Sequence, residues 1–158
     1  MHTVKTIQQL PITIEQAWDF FSDPKNLNTI TPDSMRFKTL SGDERKMFAG
    51  QIIHYKISPF NGITMEWVTE ITHVKEKEFF VDEQRFGPYK FWHHKHFFKA
   101  IDGGVEMEDI VHYKVPFGFL GKLLHPILVK PKLDEIFRYR KQKLITLFGD
   151  TTLPISKK

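Results

Sequence analysis

Residues 87–113, GPYKFWHHKHFFKAIDGGVEMEDIVHY, constrain the fold more than any other stretch, because they read as one β-hairpin whose turn fixes the face of every side chain. Asp102-Gly103-Gly104 is a hairpin turn signal. A two-residue loop drawn from it sets even-numbered residues of the first strand beside odd-numbered residues of the second. One face then carries Trp92, His94, His96 and Phe98 against Val105, Met107, Asp109, Val111 and Tyr113. If Ile101 and Gly104 close the turn, His96 and Asp109 stand directly opposite each other. Two histidines and an aspartate set into an apolar face form the pattern of a ligand cavity with a few convergent polar groups.

A chain of 158 residues reads as one domain, expected over 1–149 with a loose tail at 150–158. The absence of cysteine excludes disulfide frameworks, thiolate nucleophiles and thiolate metal sites. Residues 1–25 lack a basic start followed by an apolar run, and the longest apolar stretch, 117–129, holds Lys122 and His125 and is too short to span a bilayer. A cytoplasmic protein is expected. The net charge of +4 gathers late, at Lys122, Lys130, Lys132, Arg138, Arg140, Lys141, Lys143, Lys157 and Lys158. That run reads first as a solvated helix face and second as a surface for peripheral contact with an anionic membrane. The RYRK run at 138–141 is too short to argue nucleic-acid binding, so no nucleic-acid partner is expected.

Ahead of the hairpin, residues 2–10 alternate as a strand and Thr13 with Gln16 forms a capping box. Ile14, Ala17, Trp18 and Phe21 then fall on one helical face until Pro24, which can start a second, very short helix closed by Pro32. From Met35 the period is two. Asn61-Gly62 marks a turn, and a three-residue loop there pairs Ile57 with Met65 and Tyr55 with Trp67. The strand at 78–86 admits two registers: a tight Gly87-Pro88 turn aligns Val81 with His94, while a bulge at Gly87 turns Phe80, Asp82 and Gln84 inward. After Pro116 the helical period returns, with Leu133, Phe137, Arg140, Leu144 and Leu147 on one face and Gly149 as the stop. Pro126 and Pro131 divide the earlier turns from that long helix.

This order, and the segments LPITIEQAWDFFSDPKNLNTITP at 10–32, FFVDEQRFGPYKFWHHKHFF at 79–98, VPFGFLGKLL at 115–124 and IFRYR at 136–140, resemble the SRPBCC superfamily. That superfamily includes START-type lipid-transfer domains, aromatic polyketide cyclases, coenzyme Q-binding proteins and birch-pollen-allergen-like proteins. The resemblance implies an α+β helix-grip fold: a curved antiparallel sheet of about seven strands wrapped around a long C-terminal helix, with two short helices after strand 1. It also implies a cavity between sheet and helix, and its F-x-D-x-Q pattern, matched by Phe80, Asp82 and Gln84, favours the bulged register.

The expected function is binding of a small hydrophobic or amphipathic ligand, such as a lipid, a quinone or an aromatic polyketide. His94, His96, Asp109, Tyr113, Asp82 and Gln84 would orient its polar end; Tyr55, Trp67, Trp92, Phe98, Val111 and Phe137 would form the apolar wall. The second expectation is a cyclase- or dehydratase-type enzyme in which His94, His96 and Asp109 act as general acid and base. A third is a regulatory or scaffold domain with a vestigial pocket. His94 and His96 also have the spacing of metal ligands, with Asp82 or Asp109 as a third donor, but a buried hydrogen-bonded pair in which Asp109 holds a histidine is the preferred reading, and neither metal nor cofactor is expected.

Overall fold

Pro11 bends the chain out of its first strand, β1 (His2–Leu10), and Thr13 starts α1 (Ile14–Phe21). The Thr13 side chain accepts from the backbone N–H of Gln16, and the Gln16 side chain accepts from that of Thr13, so the capping box read from the sequence is present. Two single 3-10 turns follow, Pro24–Leu27 and Asp33–Met35. The strand expected from Met35 begins later, at β2 (Lys38–Ser41), because Met35 closes the second turn and Arg36 takes the left-handed region at φ 45°. Then come β3 (Gln51–Phe60), β4 (Ile63–Lys75), β5 (Phe79–Phe86), β6 (Phe91–Ile101) and β7 (Gly104–Lys114). This computed structural model describes residues 1–60 and 62–151, so Asn61 and the tail with Lys157 and Lys158 lie outside the described residues, as does the side chain of Lys122.

The seven strands form one antiparallel sheet in the order β1-β7-β6-β5-β4-β3-β2. The β6–β7 hairpin has the expected parity: Ile101 pairs with Gly104, His96 with Asp109 and Trp92 with Tyr113. Gly103 supplies the positive φ of the turn, at 75°, and a Cβ on Gly104 would lie 2.2 Å from the Leu10 carbonyl oxygen, so the end of β1 can close over this turn only if Gly104 is bare. Ile57 pairs with Met65 and Tyr55 with Trp67 as expected, but the register shift lies between Ile57 and Phe60 rather than in a three-residue loop, since Phe60 pairs with Ile63.

After β7, α2 (Gly118–Leu124) and a π-helical turn (His125–Val129) precede α3 (Lys130–Phe148). Pro126 and Pro131 each sit in the first turn of their element, where the missing N–H costs nothing. Gly149 stops α3 at φ 98°. Leu133 and Leu144 of α3 are buried in two separate clusters. Leu144 joins Trp18, Phe21, Phe80, Phe98 and Met107; Leu133 joins Trp92, Val111, Tyr113 and Val115. Leu147, expected on the same face, is exposed. Truncating Phe98, which packs on Trp18 and Phe21, should cost about 3–5 kcal/mol. Along the inner face of β6 the order is therefore aromatic, histidine, histidine, aromatic, and the polar middle lies between the two clusters.

Candidate functional site

The register of β5 brings a second carboxylate to the histidines. Asp82 pairs with His94 and Phe80 with His96, the bulged alternative, so Phe80 and Asp82 face inward. Gln84 holds this register: its amide donates to the Tyr89 carbonyl at 2.6 Å and accepts from the Tyr89 N–H at 3.1 Å, and a Cβ on Gly87 would strike that amide. Both hydrogen-bonding ends of Gln84 are thus used on the turn. The expectation that it would contact ligand is corrected accordingly.

Asp82 on β5 and Asp109 on β7 flank the two histidines of β6 and each reaches both of them. His96 Nε2 lies 2.8 Å from Asp82 Oδ2, and His96 Nδ1 lies 2.7 Å from Asp109 Oδ1. His94 Nε2 lies 3.1 Å from Asp109 Oδ1, and His94 Nδ1 lies 3.4 Å from Asp82 Oδ2. The rings stand 3.7 Å apart between centroids. His94, His96 and Asp109 are buried, and Asp82 is nearly so.

Burial and pairing compete at each group. Burial alone would raise the Asp109 carboxyl, yet hydrogen bonds from His94 and His96 hold it well below 3.8. Burial opposes the charge of Asp82 as well, and His94, His96 and Arg140 outweigh it, so that carboxyl is lowered. Desolvation and the neighbouring His96 push His94 below 6.5. Desolvation also works against His96, but hydrogen bonds to Asp109 and Asp82 prevail and raise it above 6.5. The site holds one histidine that favours its proton and one that releases it.

Arg140 of α3 completes the cluster and was missed as a site residue. Its Nη1 lies 3.9 Å from Asp109 Oδ1, its guanidinium lies 5.4 Å from the centroid of the Phe137 ring, and its buried Nε has no hydrogen-bond partner among the described residues. The signal was present in the sequence: an arginine on the apolar face between Phe137 and Leu144 points where its neighbours point.

These groups stand at one side of a cavity. Its wall includes Phe20, Phe21, Leu27, Ile30, Met35, Phe37, Met47, Tyr55, Ile57, Trp67, Ile71 and Phe80; its polar end is Asp82, His94, His96 and Arg140. The cavity has a volume of about 160 Å³. An apolar cavity of about 150 Å³ takes up benzene, so a space of this size suits a compact ring-bearing molecule. Tyr55, Trp67, Asp82, Trp92, His94 and His96 line it as expected. Six expected residues do not, Gln84 and Asp109 among them. Phe98 is buried in the α1 cluster, Val111 packs with Trp92 and Leu133, the Tyr113 hydroxyl is 2.7 Å from His125 Nε2, and Phe137 lines a separate cavity between β1 and α3. Asp109 also borders that second cavity, behind the histidines. It acts on the first cavity through the rings and not by touching its contents.

The sheet order and long C-terminal helix are shared with solved structures at low sequence identity. Protein CV1439 from Chromobacterium violaceum superposes with a TM-score of 0.72 at 14% identity, covering 94% of this chain and 99% of that one. The major latex-like protein 151 from Panax ginseng gives 0.67 at 10% identity over 93% and 97%. Ara h 8.0201 gives 0.64 at 16% identity over 92% and 98%. The family model described as "Polyketide cyclase / dehydrase and lipid transport" matches residues 10–132. The chain belongs to that family. Its fold is the helix-grip fold of the SRPBCC superfamily. No protein of curated function matches in sequence. The family match covers α1, the whole cavity wall and the two histidines but stops short of Arg140.

Proposed function

We propose that the protein binds a compact, mostly apolar molecule with an oxygen-bearing, acidic polar end. The observation that carries this reading is Arg140, whose buried Nε lacks a partner among the described residues at the polar end of a mostly apolar cavity. A buried donor left unpaired costs free energy, and an acidic oxygen in the ligand would satisfy it. The aromatic pair Trp67 and Trp92, edge to face at 5.2 Å between centroids, would border the ligand's flat body. The space suits one or two rings of a quinone or aromatic polyketide better than an extended lipid chain.

The test is a panel of one- and two-ring carboxylic acids and phenols with neutral isosteres, followed by tryptophan fluorescence, alongside native mass spectrometry of protein purified from its host. Arg140→Met should weaken acids about tenfold or more, the value of a charge-assisted hydrogen bond, and leave neutral isosteres unchanged. Equal loss for acids and isosteres would sink the anionic reading. A second, acid–base reading of the cyclase or dehydratase type is favoured by the opposite shifts of His94 and His96 within one cavity. It requires turnover that His94→Gln slows by a factor on the order of 100 or more while binding persists.

Contact with an anionic membrane is proposed through a different surface from the basic helix face considered above. Phe117, Phe119, Leu120, Leu123, Ile127 and Leu128 are all exposed large apolar residues in and around α2. Lys130 and Lys132 nearby are paired with Asp134 and Glu135. Sedimentation with phosphatidylserine vesicles should therefore respond to Phe119→Ser more than to salt; the reverse would restore the basic face.

A further inference from the structure

Both histidine rings are held by one carboxylate behind them. Asp109 Oδ1 is the near neighbour of His94 Nε2, at 3.1 Å, and of His96 Nδ1, at 2.7 Å. Metal-binding histidines are characteristically held in this way, with the non-ligating N–H given to a carboxylate that fixes ring and tautomer. The other nitrogen of each ring, His94 Nδ1 and His96 Nε2, faces Asp82 Oδ2, at 3.4 and 2.8 Å. One donor atom from each of these three residues lies within 4.8 Å of the other two, and Asp82, His94 and His96 all line the main cavity.

We propose that Asp82, His94 and His96 bind one divalent first-row transition-metal ion at the polar end of the cavity, with Asp109 as the positioning residue for both rings. The spacing agrees with the chemistry. At a metal–ligand distance of about 2.1 Å, adjacent donors are about 3.0 Å apart in an octahedron and about 3.4 Å apart in a tetrahedron. The two histidine–Asp82 separations, 2.8 and 3.4 Å, fall close to those values. Two imidazoles and one carboxylate suit zinc, iron(II), cobalt or manganese better than calcium or magnesium, which prefer oxygen. Three protein ligands leave coordination positions open toward the cavity. The molecules suited to complete them carry an anionic oxygen, such as carboxylate, phenolate or enolate, the class for which Arg140 is placed on the same wall. That last step rests on the ligand-binding reading; the metal site itself does not.

The experiment uses the whole chain, stripped with a chelator and titrated with Zn²⁺ by calorimetry and with Co²⁺ by absorption and NMR. The expected result is one equivalent per chain, with Co²⁺ broadening centred on Asp82, His94 and His96 and sparing His93 and His112 on the opposite face. Asp82→Asn should weaken binding more than tenfold, and Asp109→Asn, which keeps the side-chain shape, by about 10–100-fold. If either variant fails to fold, the broadening pattern of the unmutated protein still decides. Binding below about a tenth of an equivalent, the adventitious level, overturns the site. So does a full equivalent with broadening elsewhere. Metal-free protein that binds one-ring acids in an Arg140-dependent way, together with no metal uptake, would remove the metal and leave the ligand reading standing.

Discussion

Strands β5 and β6 carry histidine–carboxylate contacts on both faces of the sheet, and the two faces behave differently. On the outer face His93 Nδ1 lies 2.7 Å from Glu83 Oε1, with a quarter of each side chain exposed. On the inner face His96 makes an equally short contact with Asp109, but both groups are buried. Geometry is nearly the same; the surroundings are not. Water still reaches the outer pair in the folded chain, so its net value is expected to be smaller than that of the inner pair. The inner groups have given up that solvation and depend on one another, so removing one leaves its buried partners with fewer compensating contacts.

The largest expected consequence follows from Asp109→Ala, which strips both rings and Arg140 of their shared carboxylate. It should lower unfolding free energy by about 3–5 kcal/mol in urea titrations; a loss under about 1 kcal/mol would place the inner cluster on a par with a surface pair.

The second is the pH dependence of metal-free protein. His96 is raised in the folded state, so its contribution is complete below 6.5 and is lost as pH rises through its folded value. His94 is lowered, so its contribution is complete above 6.5 and is lost as pH falls through its folded value. Asp109, also lowered, adds a loss below 3.8. Stability from these groups should peak near pH 6.5, and histidine NMR titrations should show the inner pair moving to opposite sides of that value. Two inner histidines titrating together would remove the distinction between them.

Gln84→Met comes next. Losing both hydrogen bonds to Tyr89 should cost about 1–3 kcal/mol at 0.5–1.5 kcal/mol each, measured by thermal or urea unfolding. His93→Ala should be the mildest, within about 0.2–1 kcal/mol by the same assay. A larger loss there would show the outer face to matter as the inner one does.

The sequence made the β6–β7 parity legible because Asp102-Gly103 is a local turn signal and a two-residue loop leaves no freedom in which residues share a face. The Thr13–Gln16 cap was legible for the same reason: its partners are three residues apart. What escaped depended on distant partners. Tyr113 looked like a cavity residue by parity and is buried, yet its hydroxyl is taken by His125, which no local pattern places beside it. Gln84 faced inward as the bulged register required, but its amide was engaged by Tyr89. Arg140 could be assigned to the apolar face of α3, while its role depended on which residue of the sheet that face would meet. Periodicity assigns a direction to a side chain; only the packed fold determines what lies there.

The cavity is divided along the chain in a way that bears on how such a protein can diversify. Apart from Trp92, its apolar wall comes from residues between Phe20 and Phe80, whereas Asp82, His94, His96 and Arg140 all come later. Substitutions in the first half can therefore reshape the space without disturbing the groups that grip the polar end. A lineage could exchange the body of its ligand while inheriting the grip unchanged, and recombination of early and late segments would be a direct laboratory route to new selectivities.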